Sequence, residues 1–451
     1  MATAAPTGSF TAYSSCTPHR GGRKVRAKSF GASSRGYAPF PNFPIHEIGH
    51  RMAQHFLFLV IPDHGHILPN LAVVEELTRR GHRVTFVTGE EVSAPVSAAG
   101  ATVLPYASEY RSLNHFESVN EDLGSRMLTL LIDESAAMLR TVEAALDGDR
   151  PDVVVYDFAT SHAGRILERK WGLPAVQLCP AFAQNEKFSF ASGFDESDTG
   201  GVADYAAPPV MVEAINKLVA EHGLDVPFHE FFLSIAKSNL VFLPKEFQIH
   251  GESFDGRFSF VGPCISDRSF LGEWQPPTSE MPVVLVSLGA TFSDATGFFD
   301  ACIKAFADAS FHVVLTLGSS MDPAALGDLP SNIEAHRWVS HVAVLEHAKA
   351  FVTHGGMGSV MDSLSAGVPM VMVPHSPLDR PTGRRVTDLG LGEVIAPEDL
   401  TAEGLRDAVV KLLSDTETSA RARGMQDPVR RAGGAVRAAD VLEQSAAASR
   451  G

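Results

Sequence analysis

The chain alternates two kinds of segment. Short, continuous apolar runs occur at FLFLV (56–60), RVTFVTG (83–89), DVVVYD (152–157) and PAVQLCP (174–180). Between them lie stretches with apolar residues at helical spacing. In LPNLAVVEELTRRG (68–81), Leu68, Leu71, Val74 and Leu77 share one helical face, basic residues fill the last turn and Gly81 supplies a stop. Residues 127–146 and 162–172 read as further helices. The second half repeats the pattern, with strands at 282–289, 312–318, 350–356 and 369–374 and a helix at 298–309. Strands that are apolar throughout, alternating with helices, predict parallel sheets covered on both faces. Residues 261–281 carry three prolines and little periodicity, which predicts a linker. The expected fold class is therefore α/β: a domain over 52–260 and a second over 282–451 that includes the C-terminal helices. Both are doubly wound and Rossmann-like, and they face one interdomain cleft. Ligands in such sheets bind beyond the carboxyl ends of the strands.

Composition changes this picture at one end only. Of 451 residues, 45% are apolar and 20% charged, ample for two cores. Residues 1–51 hold seven basic residues against one acidic residue and are rich in Ser, Gly, Pro and Ala. The chain's net charge of −16 thus becomes +6 there and −22 elsewhere. The first segment is expected to be a disordered extension or appended sequence, with the folded part starting at Met52. Its make-up is similar to that of a transit peptide but lacks an amphipathic pattern. The acidic body argues against nucleic acid as a partner. No apolar run approaches the roughly eighteen residues of a membrane helix. Cys16, Cys179, Cys264 and Cys302 are scattered without metal-like pairing, as expected for reduced thiols in a cytoplasmic protein.

Candidate chemistry sits at the ends of the apolar runs. His64 and His66 follow the first run in PDHGHILPN (62–70), and Asp157 ends DVVVYD. An imidazole held by a carboxylate is a competent general base near neutral pH. The same residues also read as a packing histidine and a helix cap. In THGGMGSVMDSLSAGVPMVMVP (353–374) a strand enters a glycine-rich turn, and a helix is expected to open near Gly358 and Ser359. The backbone N–H groups and positive end of that helix suit a phosphate. His354 adds a donor, and Asp362 lies one turn along, where it would reach ribose hydroxyls.

Taken together, HGGMGSVMDSLSAGVP, HRWVSHVAVLEHA (from His336), GHILP (65–69) and the Tyr-Asp at 156–157 resemble the signature of family 1 glycosyltransferases of the GT-B fold. The bacterial macrolide and natural-product branch is the nearest in pattern, and the likeness spans residues 54–445. The resemblance implies an inverting transfer from a UDP- or dTDP-sugar co-substrate to a hydroxyl of a small-molecule aglycone, in antibiotic biosynthesis or resistance. It implies no resident cofactor and no metal. His66 matches the catalytic base and Asp157 its orienting carboxylate. Trp338 matches the aromatic that stacks on the nucleotide base, and the backbone of Val339 would read that base's edge. His354, Gly356, Gly358 and Ser359 match the pyrophosphate site. Asp362 stands where the family usually has Glu contacting ribose.

Several positions depart from the family pattern. The usual acidic residue and glutamine that bind sugar hydroxyls fall on Leu378 and Asp379, or with a one-residue slip on Asp379 and Arg380. Ala290 replaces a Ser or Thr facing phosphate, with Thr291 next to it as a substitute. These departures point to a donor sugar that is deoxygenated or otherwise unlike glucose, or to donor recognition that is repositioned. Aromatic residues in 106–130 and 180–210, notably Phe116, Phe182 and Phe188, suit a large apolar acceptor or the packing of loops. The acidic stretch at 194–198 reads as a solvated loop. Two alternatives remain at this level: a GT-B sugar-nucleotide epimerase, and a non-catalytic nucleotide-binding or auxiliary protein. A homodimer is left open.

Overall fold

A computed structural model describes residues 52–110, 121–189, 207–289, 296–318 and 321–448, without side chains for 121–128, 296 and 377. The expectations for 1–51, Phe116, Ala290, Thr291 and the acidic stretch lie outside the described residues. The described chain forms two wholly parallel sheets flanked by helices. The first contains β1 (His55–Leu59), β2 (Arg83–Gly89), β3 (Thr102–Tyr106), β4 (Val153–Asp157), β5 (Ala175–Cys179), β6 (Asn239–Val241) and β7 (Phe258–Phe260). Their order is β3-β2-β1-β4-β5-β6-β7. The second contains β8 (Val283–Ser287), β9 (His312–Thr316), β10 (Ile333–His336), β11 (Ala348–Thr353), β12 (Met370–Met372) and β13 (Gly392–Val394), in the order β10-β9-β8-β11-β12-β13. These are two Rossmann-like domains. Among the described residues no helix is long and apolar enough to cross a membrane.

The apolar runs became the central strands because both of their faces are covered; every residue of β1, β4 and β8 is buried. The edge strands β3, β7, β10 and β13 carry half-exposed or polar positions, so no continuous run marked them. Each sheet reverses its strand order once, between β1 and β4 in the first and between β8 and β11 in the second. At such a switch the connecting loops diverge and leave a crevice at the carboxyl ends.

The first helix, His64–Arg79, starts four residues before the sequence suggested. Gly65 and Pro69 read as breakers, but Asp63 caps the helix by accepting from the Gly65 N–H at 2.7 Å. His66 therefore sits in a helical first turn rather than a loop. The last helix, Gly434–Ala448, expected in the second domain, packs on the first sheet instead. Its Ala438, Ala439, Val441, Leu442 and Ala446 join a core with Val73 and Leu77 of the first helix and Val153 and Val155 of β4. An ion pair and a hydrogen bond fix it there: Arg80 Nη1 to Asp440 Oδ1 at 2.7 Å, and His82 Nε2 to Glu443 Oε1 at 2.8 Å. Burial of this apolar stripe overrides sequence proximity.

The chain thus crosses between the domains twice, side by side. The Gly434 N–H donates to the Val261 carbonyl at 2.7 Å. A further apolar cluster joins Phe182, Val241 and Phe247 of the first half to Val283, Val339 and Met361 of the second. Arg385 adds a polar tie, donating from Nη2 to the Glu246 carbonyl at 2.7 Å and from Nε to the Phe247 carbonyl at 2.9 Å.

Candidate active site

β1 and β4 are neighbours at the switch point of the first sheet, with Leu59 opposite Tyr156. The residues that follow their carboxyl ends therefore meet. His66 Nδ1 lies 2.8 Å from Asp157 Oδ2. Asp157 is fully buried, and its Oδ1 accepts from the Ala159 N–H at 2.8 Å. In the neutral imidazole that network places the proton on Nδ1 and the lone pair on Nε2. Burial opposes a charge on His66, but the Asp157 carboxylate outweighs it, aided by Asp63, and pushes the imidazole up to about 9. Phe158 packs beside the ring, with centroids 5.6 Å apart. The Tyr110 hydroxyl makes a long hydrogen bond, 3.4 Å, to Asp63 Oδ2.

The second sheet builds the facing wall in the same way. β8 and β11 are neighbours, with Ser287 opposite Thr353. The glycines beyond them close around His354. Gly289, at φ +83°, lies so near that a Cβ there would stand 2.6 Å from His354 Cε1. Gly355, at φ +95°, leaves no room for a Cβ beside Met372. The helix Met357–Ala366 opens one residue earlier than expected, after Gly356, and no side chain caps it. Its first-turn N–H groups, including those of Gly358 and Ser359, are thus left for a ligand. Above Gly358 there is open space. His354 Nδ1 is buried without a partner. Burial, and the nearby His375, lower the His354 imidazole to about 4 against the opposing pull of Asp63.

The Asp63 carboxylate favours the charged form of both histidines, more weakly than their other neighbours act on them. One contact bridges the cleft: His64 stacks on Trp338, with centroids 5.5 Å apart and planes 13° apart. Trp338 is half-buried and Val339 buried, at the carboxyl end of β10. Asp362, expected to face ribose hydroxyls, has a protein partner. It is buried and paired with Arg268 of the interdomain segment, Nη1 to Oδ2 at 2.6 Å. Asp379 is half-buried, and its Oδ2 accepts from the Ser376 N–H at 3.2 Å. Burial pushes its carboxyl up to about 7. Leu378 beside it is 53% exposed.

The suggested acceptor aromatics are mostly packing residues. Phe188 is buried against His250, with centroids 5.9 Å apart. Phe182 is buried and stacks on Phe247, though one side lines a narrow recess with Phe158, Gln177 and Cys179. Both were read from aromatic content alone, which cannot tell a loop's own packing from a pocket wall. Asp63, Phe158, Arg268 and His375 escaped the sequence reading. Only Asp63 carried a signal, as a capping residue before a helix.

Comparison with known proteins agrees with this layout. Residues 301–432 match the family model described as erythromycin biosynthesis protein CIII-like, C-terminal domain. The NDP-glycosyltransferase YjiC of Bacillus licheniformis is 37% identical over 402 residues, covering 88% of this chain and 98% of that protein. Demethyllactenocin mycarosyltransferase of Streptomyces fradiae is 35% identical over 405 residues, covering 87% and 86%. Among solved structures, the calicheamicin glycosyltransferase CalG4 superposes with a TM-score of 0.78 at 41% identity, covering 88% of this chain and 98% of that one.

Proposed function

The chain belongs to the family 1 glycosyltransferases of the GT-B fold, in their natural-product branch, and from that premise we propose how it works. It transfers a sugar, with inversion, from a nucleoside diphosphate to a hydroxyl of a hydrophobic natural product such as a macrolide. Relatives named for erythromycin biosynthesis and demethyllactenocin support that acceptor class.

In this reading His66 Nε2 takes the acceptor's proton as its oxygen attacks the anomeric carbon. Asp157 fixes the tautomer and stabilises the imidazolium that forms. The transition state has oxocarbenium character, and the leaving diphosphate gains negative charge as the bond breaks. The uncapped N–H groups of the helix Met357–Ala366, with His354, face that charge. They stabilise the transition state more than the ground state. Trp338 supports the UDP or dTDP base and Val339 its edge. Asp379 holds sugar hydroxyls, and Leu378 offers the sugar no hydrogen bond, in keeping with a deoxygenated donor. Thr291 serves the phosphate side, and Phe182 the floor of the acceptor pocket. Domain closure excludes competing water.

The observation that carries this reading is the 2.8 Å contact between His66 and a fully buried carboxylate at the mouth of the cleft. Replacing His66 with Ala should abolish transfer while nucleoside diphosphate affinity, read by calorimetry, stays unchanged. Turnover at the wild-type rate would remove His66 as the base.

A further inference from the structure

Trp338 already carries a planar partner. The His64 ring lies over the indole, nearly parallel at 13°, with centroids 5.5 Å apart. That is offset stacking, an arrangement aromatic pairs favour. The two rings belong to opposite walls. His64 opens the first helix of the first domain, and Trp338 follows β10 of the second. An imidazole arriving from the opposite wall covers the indole face that looks into the cleft. The loop that carries Trp338 is pinned: Val339 is buried, and the Ser340 N–H donates to the Gly272 carbonyl at 3.2 Å. The main chain around His64 is pinned too. The His66 and Ile67 N–H groups donate to the Asp63 carbonyl at 3.0 and 2.8 Å. The half-buried His64 side chain turns about its own torsions without disturbing those bonds.

We infer that His64 is an internal rival of the nucleotide base: in the empty site it occupies the cleft face of Trp338, and the base stacks there only after the imidazole swings away. The inference rests on the donor-site reading above, in which Trp338 supports the base. Two planar groups cannot lie at contact distance over the same part of one face. Nucleotide affinity is then reduced by the fraction of molecules whose indole is uncovered. After transfer the rivalry runs in reverse. His64 returns to the indole as the spent nucleoside diphosphate loosens, which hinders rebinding and favours product release. His64, two positions from the catalytic base, thus sets nucleotide affinity rather than proton transfer.

Calorimetry on the full chain with UDP and dTDP tests this. His64→Ala should tighten binding by about two- to tenfold, the worth of one aromatic pair. His64→Phe keeps a ring over the indole and should show no such gain. In a Trp338→Ala background, His64→Ala should bring no gain either, because the contested surface is gone. A histidine that merely shapes the turn would change affinity alike with either residue at 338. Unchanged or weaker binding in His64→Ala, or an equal gain in His64→Phe, would overturn the inference and leave the donor-site reading standing. Failure of both the wild-type and His64→Ala chains to bind either nucleotide would overturn the donor-site reading, and the inference with it.

Discussion

His66 owes its proton affinity chiefly to Asp157, with Asp63 adding to it. With Asp157 ionised beside it, the imidazole is held at about 9 despite its burial, so the neutral form needed by a base grows as pH rises toward that value. Transfer measured as kcat/KM should therefore climb through the neutral range with an inflection near 9. Asp157→Asn should move the inflection down and lower the plateau; an unmoved inflection would detach it from His66. The same pair has a stability signature of defined sign. The folded-state value exceeds the unfolded one, about 6.5. The stabilisation is then fully present below about 6.5 and lost as pH rises through about 9. Trp338 invites a simpler test. Trp338→Ala should weaken nucleotide binding by about 1–3 kcal/mol, typical of a base stacked on an aromatic ring, and calorimetry would read it. At this scale the sequence pointed to His66, Asp157 and His354 because they lie at or just past the carboxyl ends of apolar runs, and to Trp338 only through the family resemblance. It could not disclose that Arg268 meets Asp362, since they lie 94 positions apart and the linker carries no periodicity.

Helix starts and strand edges show what patterning conveys and what it hides. Central strands were legible because burial on both faces forces continuous apolar runs. The edge strands β3, β10 and β13 were not, since a half-covered strand tolerates polar residues. The start of the first helix was misread because Gly65 and Pro69 are weak helix formers. The Asp63 cap offsets them and sets the angle at which His66 enters the cleft. Asp63→Ala should cost about 1 kcal/mol of stability, the usual price of a lost N-cap, measurable by urea titration. It should also reduce transfer more than nucleotide binding. A variant with full transfer would show that the first turn keeps its geometry uncapped. In the second sheet, the glycines around His354 were legible as a turn. Their reason, packing against the imidazole and Met372, emerges only from the close approach.

For the whole molecule, two domains and a cleft were readable from the repeated grammar of strand and helix. The destination of the last helix was not. Its amphipathic stripe specifies burial without naming the surface that provides it. Leu442 is fully buried against the first domain. Leu442→Ala should destabilise the chain by about 2–5 kcal/mol, as for other large-to-small core changes. The first domain, followed by hydrogen exchange, should loosen before the second does. Equal loosening of both would mean that the helix stabilises them jointly.

That return of the chain bears on how hybrids between such enzymes are to be made. Exchanging donor halves at residues 261–281 alone would strip the recipient acceptor half of its own closing helix and supply one shaped for a different surface. A graft that respects the fold needs a second junction near Gly433, with that glycine kept, since φ there is +95° and a Cβ would stand 2.7 Å from Arg437 Cβ. The portable module is then an insert flanked by two seams rather than a tail.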